Sequence, residues 1–437
     1  MTASSFSISH LAIPAVCILI AFLAYTSQYL FLHLEPGPLS DYEFWKFNGL
    51  VACIWICYYR ACTVDPGRIP RDWKPSRGQG VDVASEEGKI DALVRQRWCR
   101  KCEAYKPPRA HHCKVCQRCI PKMDHHCPWT RNCVSHFTFP HFVRFLFYAV
   151  VSMVYLESFL FTRASVIWEN RRLPSYLGPS IAQLTHLFLL IVVNSLTLFA
   201  LFILLVRTLW ALGANVTTIE SWEIERHKTL LRRARHFGGY LDGPDGIKVR
   251  IRKQEFPYDI GIWKNIKAGM GGSSNILSWL WPFAATPDRS TGLSFEVNDF
   301  EDPGLSWPPP DPDRIPRKPR PMGEPFPVQH FDSAQEEIEA FNRRQREDME
   351  RRRGGLGLQR RRKFHERYAH VANAEHDAAD GEDSVASDEG EEAWRNADGE
   401  RLQDFGVDEE VEFYDEDDIP LAELMRRRRE QQQQQQS

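Results

Sequence analysis

The stretch from Cys99 to Cys133 holds seven of the eleven cysteines of this chain within 35 positions. The cysteines occur as WCRKC, HHCKVCQRC and HHCPWTRNC. The same stretch contains four histidines, at His111, His112, His125 and His126. Structural zinc is tetrahedral and binds thiolate or imidazole groups, so its protein ligands come in fours. Two sites of three cysteines and one histidine would use six thiols and leave one cysteine over.

Paired cysteines two residues apart, at 99/102 and 113/116 and followed by Cys119, are typical of zinc sites. A disulfide framework is the competing interpretation, and spacing alone leaves several groupings of ligands open. The stretch has too few apolar runs to build its own core, so we expect a metal to hold its shape. Cysteines that must remain thiolates indicate a reducing compartment, which predicts that this loop faces the cytosol.

Four apolar runs flank the cysteine-rich stretch, and each is long enough for the ~20 residues that a bilayer core requires. They lie at about 11–32, 44–64, 143–163 and 187–209. Lys46 and Arg60 interrupt the second run near its ends, and Glu157 lies in the third. The sequence therefore predicts an all-α polytopic membrane protein with four transmembrane helices and a cytosolic zinc-binding domain.

The distribution of basic residues gives the orientation of these spans. Residues 64–141 contain fifteen Lys and Arg, residues 163–183 contain three, and residues 33–43 contain none. The positive-inside rule places the basic loop in the cytosol, although it weakens for loops longer than about 60 residues. Four spans would then put the N-terminus, the cysteine-rich loop and the C-terminus all on the cytosolic side.

The chain divides into five predicted regions. They are two spans in 1–64, a cysteine-rich zinc domain in 65–142, two further spans in 143–212, a cytosolic segment in 213–283 and a charged tail in 284–437. The tail has low hydrophobicity and blocks of like charge, so we expect it to be mostly disordered, with one solvated helix at 334–353. The net charge of −3 gives no indication of nucleic-acid binding.

The succession CxxC, PxRAHHCxxCxxC and DHHCPWxxNC, within four spans, resembles the DHHC-type protein S-acyltransferases over roughly residues 10–270. The resemblance implies two structural zinc ions, each held by three cysteines and one histidine. One ligand set would be Cys99, Cys102, His112 and Cys119. The other would be Cys113, Cys116, His126 and Cys133. Cys127 is then the free thiol.

Acyl transfer through a cysteine needs a thiolate, and an unperturbed cysteine has a pKa near ~8.5. A neighbouring histidine can take the proton and a carboxylate can orient that histidine. His125 and Asp124 are placed next to Cys127 for these two roles.

The resemblance also implies the reaction and its reactants. Cys127 would accept a long-chain acyl group from palmitoyl-CoA and pass it to a cytosolic cysteine of a membrane-associated substrate protein. Arg109 and His111 are candidates to contact the phosphates of coenzyme A. Trp129 is expected near the mouth of an acyl-chain cavity between the helices.

Three motifs outside the cysteine-rich stretch add to the resemblance. Asp65-Pro66-Gly67 follows the second span, Thr217-Thr218-Ile219-Glu220 follows the fourth, and FPYDIGIWKNI occupies residues 256–266. Phe256 departs from the asparagine usual in the family. The sequence VSHFTFPHF after Cys133 is similar to one fungal branch, the protein fatty acyltransferase 4 group of the endoplasmic reticulum, which implies that membrane.

Two other functions fit the cysteine pattern. In a RING-like module that recruits a ubiquitin-conjugating partner, Cys127 would be one more zinc ligand. In a zinc-stabilised scaffold, the same domain would have no catalytic role. Acylation of Cys127 itself distinguishes both from an acyltransferase.

Overall fold

The computed structural model describes residues 11–73, 98–172, 178–243, 248–298, 307–309, 311–312 and 394–408, with 174, 176 and scattered positions between 335 and 346. Its contacts divide the chain into two units. One consists of Met1–Arg317 and Ala393–Ser437, and the other of Lys318–Glu392. The first unit contains all the helices and strands that carry the site.

The two N-terminal helices are α1, Ala12–Phe31, with a π-helical turn at Phe22–Thr26, and α2, Asp41–Thr63. A capping box starts α2, in which the Ser40 hydroxyl accepts from the Glu43 amide and the Glu43 carboxylate accepts from the Ser40 amide. Such reciprocal bonds satisfy donors that the first helical turn leaves unpaired. The helix ends where Val64 becomes extended, shortly before Pro66.

The two long helices are α3, Phe139–Glu169, and α4, Ile181–Ala214. At 1.5 Å per residue they are about 46 and about 51 Å long, more than the ~30 Å of a bilayer core. A second capping box, between Ser180 and Gln183, starts α4, and Asn215 ends it with a φ of 52°. The N-terminal end of α3 follows the cysteine-rich region directly, and the C-terminal end of α4 leads to the residues that contact it.

Three of these helices are long and apolar enough to cross a membrane, namely Ala12–Phe31, Phe139–Glu169 and Ile181–Ala214. The predicted span at 44–64 forms α2, a 23-residue helix packed against α3, but its composition does not meet that standard. Lys46 contributes to this, and its Nζ lies 4.4 Å from the ring centre of Tyr155 on α3. The structure thus gives three candidate spans, and the fourth stays a prediction.

The helices share a buried core and a polar cluster between α3 and α4. Phe31, Phe47, Leu156 and Leu190 represent the core contributed by α1, α2, α3 and α4. Between α3 and α4, both oxygens of Glu157 accept hydrogen bonds, from the Asn194 amide at 2.6 Å and the Ser195 hydroxyl at 2.8 Å. Apolar burial holds the bundle, while this cluster satisfies the charged residue that interrupts the third apolar run.

The cysteine-rich region folds into three antiparallel hairpins in succession. They pair β1 with β2, β3 with β4 and β5 with β6, whose bounds are Trp98–Cys99, Ala104–Tyr105, His111–Cys113, Arg118–Ile120, His125–Cys127 and Asn132–Val134. Each turn has a non-glycine residue at positive φ in its last position, at Glu103, Gln117 and Arg131. Because the hairpins share one shape, their cysteines occupy corresponding positions in each hairpin.

Beyond α4 the described chain packs partly on the long helices and partly on the hairpins. Its elements are α5 (Thr218–Arg235), β7 (Tyr240–Asp242), β8 (Lys248–Arg250), α6 (Ile262–Gly269), α7 (Ile276–Leu280) and a 3-10 helix at Leu402–Phe405. The last element belongs to the tail that was expected to be mostly disordered. Most of that tail, including most of the predicted helix at 334–353, lies outside the described residues.

Candidate active site and metal centres

The first cluster of potential metal ligands joins the first two hairpins. Cys99 and Cys102 come from the first hairpin, whereas His112 and Cys119 face each other across β3 and β4. The three sulfurs lie 3.3, 3.4 and 3.7 Å from His112 Nδ1. One ligand set therefore holds two hairpins together.

The second cluster repeats this arrangement one hairpin further along. Cys113 and Cys116 come from the second hairpin, and His126 and Cys133 face each other across β5 and β6. Their sulfurs lie 3.6, 3.5 and 3.5 Å from His126 Nδ1. The structure thus brings together both quartets that the family resemblance implied.

The geometry of both clusters fits tetrahedral zinc. With bonds of about 2.3 Å to sulfur and about 2.05 Å to nitrogen, tetrahedral geometry separates the two ligand atoms by about 3.6 Å. The observed separations are 3.3–3.7 Å. Within the described residues both quartets are complete without Cys127. The RING-like alternative requires Cys127 as a zinc ligand, but Cys127 belongs to neither quartet.

The strand β5 gives Cys127 a different environment from its neighbours. Because side chains alternate along a strand, His125 and Cys127 share one face and His126 points to the other. The side chain of His125 interacts with the Cys127 thiol, and its Nδ1 lies 2.6 Å from Asp124 Oδ2. The thiol is only 5% exposed and packs against Phe142 on α3. The three predicted catalytic side chains therefore lie together, with His125 interacting with both Asp124 and Cys127.

Electrostatics favour the charged form of this pair. Burial by itself lowers the pKa of His125, but the hydrogen bonds to Asp124 and Cys127 and their charges outweigh it and raise the pKa to about 10. Burial raises the pKa of the Cys127 thiol, yet the bond and charge from His125, with bonds from Thr130, bring that pKa below its ordinary value. A thiolate beside an imidazolium is the arrangement that activates a cysteine nucleophile.

Helix α5 holds the carboxylate of Asp124 in place. The Thr218 amide donates to Asp124 Oδ1 at 2.9 Å, and the Thr218 hydroxyl donates to the Asp124 carbonyl oxygen. Thr218 is the first residue of α5, where unpaired amides and the helix dipole favour a negative charge. The motif after the last apolar helix therefore has a direct structural connection to the predicted triad.

The same motif receives the side chain of Arg109. Its Nε and one Nη bind both oxygens of Glu220, at 2.5 and 2.7 Å, and its guanidinium also contacts Asn215. The ring of Tyr258 lies 4.5 Å from the guanidinium carbon. Burial alone would raise the pKa of Glu220, but Arg109 holds it below its ordinary value. Removing one member of such a buried pair typically costs about 3–5 kcal/mol.

The end of α2 is joined to the third hairpin. The Tyr58 hydroxyl donates to the Trp129 carbonyl oxygen at 2.9 Å, and the Asn132 amide donates to the carbonyl oxygens of Ala61 and Val64, at 3.0 and 2.8 Å. These bonds pair carbonyls that the last turn of a helix leaves without partners. The hairpin carrying Cys127 is thereby fixed on the end of the helical bundle.

The three residues predicted to contact coenzyme A or the acyl chain occupy different environments. Arg109 and His111 are both buried, at 4% and 3% exposure, while the Trp129 side chain is 60% exposed. Arg109 is fully engaged by Glu220 and Asn215, so a direct phosphate contact would require that arrangement to open. The structure brings these residues into the hairpin region, and their contacts with a ligand stay predictions.

An apolar cavity of about 70 Å³ lies between the helices. Phe145 and Leu201 line it and also pack against the cluster that contains Cys127. Its remaining lining comes from α1, α2, α3 and α4 and includes Leu23, Phe47 and Met153. An apolar space therefore begins close to the thiol and continues between the predicted spans.

Several residues that organise the site were not identified from sequence. Thr218 holds Asp124, Thr130 hydrogen-bonds to Cys127, and Asn132 caps α2. The signal for Thr218 was present as a motif, but locally a threonine before a glutamate only indicates a helix start. For Thr130 and Asn132 their place in the DHHC hairpin was the only available signal.

Comparisons with known proteins show a family match and several similar proteins. Residues 93–225 match the family model described as DHHC palmitoyltransferase. The palmitoyltransferase pfa4 of Emericella nidulans is 65% identical over 431 residues, covering 98% of both chains. Its counterpart in Aspergillus fumigatus is 62% identical over 98% of this chain and 99% of its own. The one in Gibberella zeae is 43% identical over 96% of this chain and 95% of its own.

Proposed function

The chain belongs to the DHHC palmitoyltransferase family and is a protein S-acyltransferase, and from that premise we propose that Cys127 carries the acyl group. The observation that supports this most strongly is the arrangement of Asp124, His125 and Cys127, in which the His125 ring bonds to Asp124 and interacts with the thiol. The thiol also packs in the apolar cluster whose Phe145 and Leu201 line the cavity between the helices. The thiol is free of both ligand quartets and its pKa is lowered by its partner.

In the first step, the Cys127 thiolate attacks the carbonyl carbon of a long-chain acyl-CoA thioester. A new carbon–sulfur bond forms at Cys127 and the bond to the coenzyme A sulfur breaks. His125, holding the proton taken from Cys127, returns it to the departing thiolate. Asp124 keeps the histidine in the tautomer that can make this exchange.

In the second step, a cysteine of a membrane-associated substrate protein approaches from the cytosolic side. His125 takes the proton from that thiol, and the resulting thiolate attacks the acyl-Cys127 carbonyl carbon. The bond to Cys127 breaks and the enzyme thiolate is regenerated. One thioester replaces another at each step, so the protein must mainly position the reactants and move one proton.

Both quartets are proposed to hold structural zinc. Cys99, Cys102, His112 and Cys119 would bind one ion, and Cys113, Cys116, His126 and Cys133 the other. The ions would supply cross-links between hairpins rather than reaction chemistry. Support comes from the donor sets and from sulfur–nitrogen separations close to those of tetrahedral zinc.

The acyl chain is proposed to lie in the cavity between the helices, with the thioester at Cys127. Trp129, exposed on the third hairpin, is the proposed residue at its mouth. Arg109 and His111 are retained as candidates for coenzyme A contact on the basis of the family pattern. Arg109 already neutralises Glu220, so we assign its main role to holding α5 on the hairpins.

For the membrane arrangement, we propose that α2 crosses as a fourth span. It packs along α3, and its cytosolic end is joined to the third hairpin through Tyr58 and Asn132. The cysteine-rich domain and both termini would then be cytosolic. The similarity of the sequence after Cys133 to the fungal branch of the endoplasmic reticulum supports a location in that membrane.

The decisive experiment is autoacylation of the purified full-length protein with labelled palmitoyl-CoA. We expect a hydroxylamine-sensitive label on the wild type and its loss in Cys127→Ser, because the thioester requires that sulfur. Cys62→Ser, at the end of α2, is the matched control and should retain the label. Zinc content should stay the same in both variants.

Two results would contradict the assignment. One is label retained at the wild-type level in Cys127→Ser, which would place the acyl group elsewhere. The other is zinc lost from Cys127→Ser in proportion to one site, which would make Cys127 a ligand and restore the RING-like alternative.

A further inference from the structure

Residues 394–408, which we call the clasp segment, return from the charged tail to the second hairpin. The Lys114 amide donates to the Gly406 carbonyl oxygen at 2.9 Å, and the Asp408 amide donates to the His112 carbonyl oxygen at 3.0 Å. Val407 between them forms an antiparallel bridge with Cys113. The segment thus adds a short strand to the edge of β3.

This short strand spans both metal-ligand quartets. It pairs beside His112, a member of the first quartet, and Cys113, a member of the second. Asp408 also forms a 2.5 Å ion pair with Lys101, which lies between two cysteines of the first quartet. Three consecutive residues of the clasp segment therefore fasten one hairpin to its neighbour independently of any metal.

The rest of the clasp segment is anchored on α5. Trp394 packs edge-on against Trp222 at 4.8 Å between ring centres, and the Trp222 indole donates to the Glu400 carbonyl oxygen at 3.2 Å. The Ala397 amide donates to Glu225 at 2.7 Å. Leu402, Phe405 and Val407 complete an apolar cluster with Ile219 and the second quartet. The segment consequently joins the helix that holds Asp124 to the hairpins that hold Cys127.

Gly406 shows on which side of the DHHC strand the clasp segment lies. Its φ is 81°, and a Cβ placed on it would lie 2.6 Å from the Cβ of His126. His126 points away from the face shared by His125 and Cys127. The segment therefore supports the strand from behind and leaves the thiol face uncovered.

We propose that the clasp segment is a positioning element of the acyltransferase. It holds both metal quartets closed and keeps β5 in place beside α5, the helix that binds Asp124. The proposal rests on the proposed roles of Cys127 and of zinc. It assigns a function to a part of the chain that its composition marks as solvated tail.

The test compares two glycine variants of the full-length enzyme. Gly406→Ala and Gly399→Ala impose similar backbone strain, with φ of 81° and 78°, but nothing lies within 4 Å of a Cβ at Gly399. We expect Gly406→Ala to release zinc to a colorimetric chelator about fivefold faster or more. Its maximal rate of Cys127 acylation should fall by a similar factor, with an unchanged KM for palmitoyl-CoA, because the cavity lies on the other face. Gly399→Ala should stay within about twofold of wild type.

Truncation gives a second, independent measurement. A chain ending at residue 392 should show the same two defects, whereas a chain ending at residue 408 should not. A synthetic peptide of residues 393–409 added to the shorter chain should restore the acylation rate, which a misfolded enzyme could not show.

Equal zinc release and equal acylation in the chains ending at 392 and 408 would overturn the proposal. Faster acylation in the chain ending at 392 would also overturn the proposal, because it would mean that the segment blocks access to Cys127. If wild type is not acylated at all, the proposed function fails instead, and zinc release still decides the role of the clasp segment.

Discussion

His125, His126 and Cys127 are consecutive, yet they belong to two separate sets of contacts. His125 and Cys127 face Phe142 on α3, while His126 faces the second quartet and Gly406. Strand geometry alone produces this division, because alternate side chains leave opposite faces. In a helix, the three side chains would lie about 100° apart around one axis. His125 and Cys127 would then not share one face with His126 on the opposite face.

The pH dependence of Cys127 reactivity follows from its partner. The lowered pKa of Cys127 and the pKa of about 10 at His125 leave a thiolate–imidazolium pair between those two values. The rate of alkylation of Cys127 by iodoacetamide should therefore reach half of its maximum at a lower pH than for an ordinary cysteine thiol, and it should fall as the pH drops through the lowered thiol pKa. In His125→Gln, only the bonds from Thr130 still oppose burial, so the thiol pKa should rise. The rate at pH 7 should then fall about tenfold for each unit of that rise, and it should increase with pH.

The control is His236→Gln, an exposed residue at the end of α5, whose profile should match wild type. Asp124→Asn should give an intermediate profile, because it removes one of the two partners that raise the pKa of His125. An unchanged profile in His125→Gln would show that another group activates the thiol. Subtracting the signal of Cys127→Ser isolates the reactive residue.

Among the structural elements, the joint between α2 and the hairpins depends on Asp65-Pro66-Gly67. Arg118 on β4 binds Asp65 at 2.6 Å, and the Ser135 hydroxyl donates to the Pro66 carbonyl oxygen at 2.8 Å. Gly67 has a φ of 99°, a conformation that residues with a Cβ rarely adopt. An ordinary turn motif in the sequence thus serves as the connection between the membrane helices and the catalytic domain.

Gly67→Ala should destabilise this joint beyond the effect of backbone strain. A Cβ would lie 2.6 Å from the Phe137 ring, which is buried and cannot move aside freely. Overpacking of this kind costs about 1–3 kcal/mol, and we expect a lower unfolding temperature and slower acylation. Gly37→Ala is the control, with a φ of 101° and nothing within 4 Å. Equal melting temperatures for the two variants would show that the contact with Phe137 is unimportant.

Over the whole molecule, contacts between residues close in sequence could be predicted from local patterns, whereas contacts between residues far apart in sequence could not. The cysteine spacing indicated two metal sites, because ligands a few residues apart need only a hairpin to meet. Arg109 was interpreted as a phosphate contact, since nothing nearby identifies its partner Glu220. The clasp segment was missed because its few apolar residues, including Trp394 and Phe405, are diluted by a highly charged tail. The grouping of the ligands came from the family resemblance rather than from spacing.

The membrane topology can be tested by whether α2 crosses. An insert carrying an N-glycosylation acceptor between residues 33 and 40 should be glycosylated if four spans exist, because this loop would then face the lumen. The same insert between 170 and 180 should be glycosylated as a positive control, and one at the C-terminus should not. An unmodified 33–40 insert, with the controls behaving as stated, would mean that α2 stays on one side.

The ion pair between Arg109 and Glu220 also sets a time order for biosynthesis. The two residues are 111 positions apart, with both long membrane helices between them. At about 5–20 residues per second, Glu220 is made roughly 6–22 s after Arg109. During that interval two helices must enter the bilayer, and Arg109 in the hairpins has not yet paired with Glu220. The nascent chain therefore passes through an incompletely folded intermediate. Early zinc binding or a chaperone would determine what fraction of these chains reaches the native fold.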